Sequence, residues 1–125
     1  MPAGSQRQSR LIALDALLEL SDQLGADTCR QYVSNFVSMW ESRYARLSHA
    51  VQDADYDAAM DVVLSIKISS HMAGAERLSS LGAAAQDLVA RRDAGALAEM
   101  MLLIRDCGTD TVEFLSESLH VSSAA

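Results

Sequence analysis

Val62-Val63-Leu64-Ser65-Ile66-Lys67-Ile68-Ser69-Ser70-His71-Met72-Ala73-Gly74-Ala75 is the stretch that decides the fold. On a helix, at about 100° per residue, Val62, Val63, Ile66, Ser70 and Ala73, with Ala59 just before, share one face. That face is apolar and small, which suits the inside of a bundle. Met60, Leu64, Lys67, Ile68 and His71 take the opposite face. A helix with one buried face should show water a polar one, yet Met60, Leu64 and Ile68 stand there. Either both faces are buried or the second one meets a partner.

Working outward, Asp53, Asp55 and Asp57 suit the start of this helix, where negative charge offsets the dipole, and Gly74 suits its end or a bend. Upstream, Cys29, Tyr32, Val33, Phe36, Val37, Trp40, Tyr44, Leu47 and Val51 recur at three- and four-residue steps. They predict an amphipathic helix of about 25 residues, with Asp27 as its cap. Trp40 and Tyr44, one turn apart, are expected at the core rather than as a ligand-stacking platform. Ser38, Glu41, Ser42, Arg43 and His49 are expected on the solvated side. Before this helix, Leu11, Leu14, Leu17 and Leu18 predict a short one reaching about Gln23, stopped by Gly25.

Downstream, Leu78, Leu81, Ala85, Leu88 and Val89 mark another helix, closed by Arg91-Arg92, whose charges complement its dipole. Leu97, Met100, Met101, Ile104, Val112, Leu115 and Leu119 mark the last one. Glycine costs about 1 kcal/mol in a helix interior, so a kink or break is expected at Cys107-Gly108-Thr109-Asp110. The methionines read as gap-filling core. Residues 1–9 read as a flexible leader, 10–120 as a single helical domain and 121–125 as a flexible tail. Short turns make neighbouring helices antiparallel. The expected fold is all-α: an up-down-up-down four-helix bundle with a short extra N-terminal helix.

Composition narrows the function. In 125 residues, half of them hydrophobic and few aromatic, no stretch alternates like a strand. A formal charge of −7 argues against sequence-independent nucleic-acid binding, which needs a basic footprint. No apolar run approaches a membrane span of about 20 residues. Cys29 and Cys107 lie far apart without metal-type spacing and read as reduced thiols of a cytoplasmic protein. The three histidines lie on different segments, so no metal site is expected, and no Gly-rich phosphate loop or other cofactor motif is present.

The organising stretch resembles histidine phosphotransfer (Hpt) domains of two-component phosphorelays. Their central helix reads roughly His-x-Leu-Lys-Gly-small-small, with a Gly-Ala pair some ten residues after the His. Ile66 takes the Leu place, Lys67 the Lys place, Ser69 and Ser70 the small places, and Gly74-Ala75 the closing pair. Phe36 matches a Phe of the preceding helix. The phosphorylated His falls on Leu64 and the Gly after the Lys falls on Ile68. The resemblance implies the Hpt bundle and a place in phosphorelay signalling, with a receiver domain or histidine kinase as partner.

Phosphotransfer needs a nitrogen lone pair at neutral pH, which His supplies. Leu64 supplies none, so the reaction is impossible at that position, and Ile68 puts a branched side chain where the approach should be open. The resemblance thus implies a pseudo-Hpt domain that binds without transfer, through Met60, Leu64, Lys67, Ile68 and His71. One alternative is an active protein using His71 as a displaced phosphoacceptor. It lies about 20° from Leu64 around the axis and about 10 Å along it, with Lys67 one turn before to neutralise charge. The other is a non-signalling homodimer closed through the Leu64 face.

Overall fold

The computed structural model describes residues 14–124. Five helices follow one another: α1 Leu14–Leu24, α2 Ala26–Gln52, α3 Tyr56–Met72, α4 Glu76–Ala90 and α5 Ala94–Ala124. There is no strand among the described residues. The expected leader lies outside them, and α5 runs on through Ala124, into the span assigned to a tail. Helices α2 to α5 form a closed ring in which each packs on the next and α5 returns to α2. The shorter α1 lies across α2 and touches α3. This is the four-helix bundle with an extra N-terminal helix that the periodicity predicts.

The apolar repeats explain the ring. Leu47, Ile66, Leu78, Leu97, Ile104 and Leu115 are fully buried at its centre, each worth roughly 1.5–3 kcal/mol relative to exposure. Phe36 and Trp40 bury beside them, and Trp40 lies between Phe36 and Tyr44, with ring centroids 6.5 and 6.1 Å away. The Tyr44 hydroxyl donates to the Met101 carbonyl across the α2–α5 seam at 3.2 Å. The methionines divide: Met60, Met100 and Met101 pack against the core, whereas Met39 and Met72 are exposed. Exposure of those two departs from a uniformly gap-filling role.

Three turns of identical construction hold the ring antiparallel. In each, the residue one past the cap has positive φ: Ala54 (53°), Gly74 (76°) and Arg92 (55°). In each, the following amide donates back five residues: Asp55 to Ala50, Ala75 to Ser70 and Asp93 to Leu88. This is the helix-ending arrangement that satisfies orphan carbonyls. Asp55 and Asp93 then accept from the amides of Ala58 and Ala96, so one residue closes a helix and opens the next.

Two local expectations are corrected. Asp27 does not cap α2; Gly25, at φ 88°, holds that place, and Asp27 sits in the first turn, 3.6 Å from Arg30. Nor is the last helix broken at Cys107-Gly108-Thr109-Asp110, since α5 is continuous through it. A Cβ on Gly108 would lie 1.8 Å from Trp40 Cζ2 and 2.2 Å from Cε2. The glycine is a notch for the indole, and seating a large buried ring outweighs a propensity cost of about 1 kcal/mol. Thr111 ties the same turn by donating to the Cys107 carbonyl at 2.7 Å. Burial pushes the Cys107 thiol above its ordinary pKa, partly offset by its contact with Thr111.

Two substitutions test these assignments by urea denaturation. Gly108→Ala gains helix propensity yet overfills the notch, so it should lose a net ~2 kcal/mol. Ala54→Gly relieves a left-handed alanine and should gain ~0.5–1 kcal/mol. A neutral Gly108→Ala would refute the notch.

Candidate functional site

The inner face of α3 is buried as its spacing demands: Ala59, Val62, Val63, Ile66, Ser70 and Ala73 are all inaccessible or nearly so. Its rotation is thereby fixed, and Leu64 is turned away from the interior, half-buried. Ile68, one turn on, is 58% exposed, and His71 and Met72 are exposed beyond it. Met60 differs from the others of this set, being partly buried against the core. Exposed Asp57 and Asp61 share the stripe at helical spacing, toward its N-terminal end. The outward side of α3 therefore runs from acidic to apolar.

Both neighbouring helices grip α3 beside this stripe. On the α4 side, a Cβ on Gly82 would lie 3.1 Å from the backbone N and Cα of Lys67, so the two helices touch main chain to side-chain stub. Ser79 donates its hydroxyl to the Lys67 carbonyl at 3.0 Å. The Lys67 ammonium donates to Gln86 Oε1 at 3.1 Å. Lys67, the only lysine of the chain, is thus directed onto α4 rather than standing alone on the helix.

On the α2 side, two residues eleven apart converge on Ser69. The Tyr32 hydroxyl donates to its carbonyl at 3.0 Å, and Arg43 Nη1 donates to its Oγ at 2.9 Å. The Ser69 hydroxyl in turn donates to the Ser65 carbonyl. Burial lowers the Arg43 pKa, opposed by Tyr32 and assisted by Arg46; burial raises that of Tyr32, opposed by Arg43. Arg43 is therefore not on the free solvated side of α2 where periodicity puts it, whereas Ser38, Glu41, Ser42 and His49 are exposed or nearly so. A long side chain can cross a helix seam that its Cα does not face.

His71 borders different ground. With Met72 it lines a crevice of about 260 Å³ shared with Glu19, Leu20 and Gln23 of α1. Lys67 is hydrogen-bonded to α4, whereas His71 borders α1. A carboxylate in that crevice opposes added phosphoryl charge. Arg91 and Arg92 also separate: Arg91 pairs with Asp87 at 2.9 Å, and Arg92 lies over the Tyr56 ring at 5.3 Å.

Gln86, Ser79 and Gly82 went unread in the sequence as parts of this site. Their only signal is a three- and four-residue spacing on α4 that faces Lys67 once the two helices are paired. The outward side of α3 offers an apolar centre, fixed hydrogen-bonded flanks and no nucleophile at position 64. A leucine side chain has no lone pair with which to take a phosphoryl group.

No protein-family model matches the chain, and no curated protein matches its sequence. Among solved structures it is similar to histidine-containing phosphotransfer protein B (HptB) from Pseudomonas aeruginosa PAO1. The TM-score is 0.83, at 17% sequence identity, over 90% of this chain and 96% of that one. At that identity the likeness is one of fold, and this chain has the Hpt-like bundle fold.

Proposed function

We propose that the chain is an Hpt-like module of phosphorelay signalling that works by binding a receiver domain or a histidine kinase, without passing a phosphoryl group. The observation that carries this reading is the place of Leu64. It stands half-buried on the outward side of α3, where the Hpt pattern has its histidine, with Ile68 more than half exposed beside it. A hydrocarbon branch cannot attack an acyl phosphate. It does favour burial: fully covering a leucine or isoleucine is worth roughly 1.5–3 kcal/mol. Met60 is partly buried against the core one turn before Leu64, and Lys67 and His71 lie along one side of this centre by helical spacing.

The bundle's rigidity supports the same reading. Short loops and paired grips on Ser69 and Lys67 leave the outward side of α3 little freedom to rearrange, which keeps the ordering cost of association low. No helix among the described residues is long and apolar enough to cross a membrane. A cytoplasmic setting belongs to the proposal, since the partners named work there.

Two measurements test it. Leu64→Glu with Ile68→Glu should abolish binding to the cognate receiver or kinase while circular dichroism shows unchanged helicity; retained binding would overturn the reading. Incubated with a phosphorylated receiver domain, the native chain should stay free of acid-labile phosphate. The pair Leu64→His and Ile68→Gly should acquire it if the register is correct. Acid-labile label on the native chain, lost in His71→Ala, would instead establish transfer through His71.

A further inference from the structure

A second surface is built by α4 and α5, which run antiparallel from the short turn that joins them. On α4, Arg77, Leu81 and Ala84 follow one another at four- and three-residue steps. On α5, Leu103, Cys107 and Asp110 do the same. Such steps draw one stripe along each helix. The Cys107 thiol lies within electrostatic reach of both Arg77 and Asp110, so the two stripes adjoin. With Arg77 level with Cys107, the antiparallel register sets Leu81 level with Leu103 and puts Asp110 about 4.5 Å further along the axis.

The two stripes differ in height and in sign. Leu103 is 57% exposed and stands out from α5 as a ridge. Ala84 is exposed but carries only a methyl group, between Leu81 and Leu88, which are half-buried against the core. The stripe of α4 is therefore a shelf with a hole at Ala84. The shelf carries a guanidinium, Arg77, and the ridge a carboxylate, Asp110, both exposed. Knob and hole, cation and anion, thus lie on one surface, on opposite sides of its midline. A surface of that kind is complementary to itself.

We infer that the occupant of the α4–α5 seam is a second copy of this chain, related by a two-fold axis parallel to the helices. That axis lays α4 of each copy on α5 of the other. Leu103 then seats over Ala84 of the partner subunit, and Arg77 faces Asp110 of the partner subunit. Both contacts occur twice, and the four charges form a ring of alternating sign. A two-fold axis across the helices would instead lay α5 on α5 and set carboxylates, Glu99 and Asp110 among them, against their own copies. Charge therefore selects the first axis. Leu64 and Ile68 lie outside this contact, so the inference stands or falls independently of the reading of α3, and the dimer presents two such faces.

The test is sedimentation equilibrium of the full chain from micromolar to sub-millimolar concentration, where a monomer–dimer equilibrium is expected. Leu103→Glu puts a charge on the knob, and Ala84→Leu fills the hole with little loss of helix propensity. Each should weaken dimerisation by roughly tenfold or more, with circular dichroism unchanged. Asp110→Arg and, separately, Arg77→Asp should weaken it as well, since each makes the ring of charges repulsive. Mixed one to one, those two variants should form a heterodimer roughly tenfold tighter than either homodimer, because every cation again meets a carboxylate. Leu64→Glu with Ile68→Glu should leave dimerisation unchanged. A monomer at every concentration, indifference to Leu103→Glu and Ala84→Leu, or no recovery on mixing the charge variants would overturn the inference. So would a dimer lost in the α3 variant, which would give the contact to the Leu64 face.

Discussion

The contact between Gly82 and the main chain of Lys67 governs how α3 is presented. Helices carrying larger side chains at a crossing sit 8–10 Å apart, but here the missing Cβ lets α4 press against the α3 backbone. Once that approach is made, Ser79 and Gln86 fall within reach of the Lys67 carbonyl and ammonium. From the other side, Tyr32 and Arg43 seize Ser69, two residues on. Helix α3 is clamped at adjacent positions by both neighbours, so it cannot roll. The outward station of Leu64 follows from this clamp as much as from the hydrophobicity of the inner face.

Small residues recur wherever two elements come close, and they do different work in each place. Gly82 admits a helix, Gly108 admits an indole, and Gly74 takes a left-handed turn. Ala54 and Arg92 adopt the same left-handed conformation without being glycine, at a cost of about 1–2 kcal/mol each. Arg92 has its guanidinium over the Tyr56 ring, a contact worth on the order of 0.5–1 kcal/mol at an exposed site. Tyr56 opens α3, so the α4–α5 turn is tied to the start of the helix that carries the site.

Periodicity revealed the ring because burial repeats along a helix. Leu47, Ile66, Leu78, Leu97 and Ile104 each sit at a three- or four-residue step, and all are buried. The outward place of Leu64 and Ile68 was legible for the same reason, as the complement of Val63 and Ile66. What depended on pairs of helices was not legible. Gly108 reads locally as a helix breaker, and only Trp40, 68 positions earlier, shows it to be a socket. Arg43 reads as a solvated residue until Ser69 is brought opposite it. Lys67 reads as a phosphate-neutralising cation, and only the proximity of Gln86 gives it another partner. The spacing of Lys67 and His71 was read correctly along one helix, but each answers to a different neighbouring helix.

The three-residue turns have a kinetic consequence. Each joins helices that are already neighbours in the ring, so most native contacts link segments close in sequence. Little chain entropy is spent closing loops before those contacts form. Bundles of this kind fold in microseconds to milliseconds, the fast end of the range for small domains. The one long closure is the return of α5 to α2, sealed by Trp40 entering its socket. That seam is where the largest loop-closure entropy of the ring is spent.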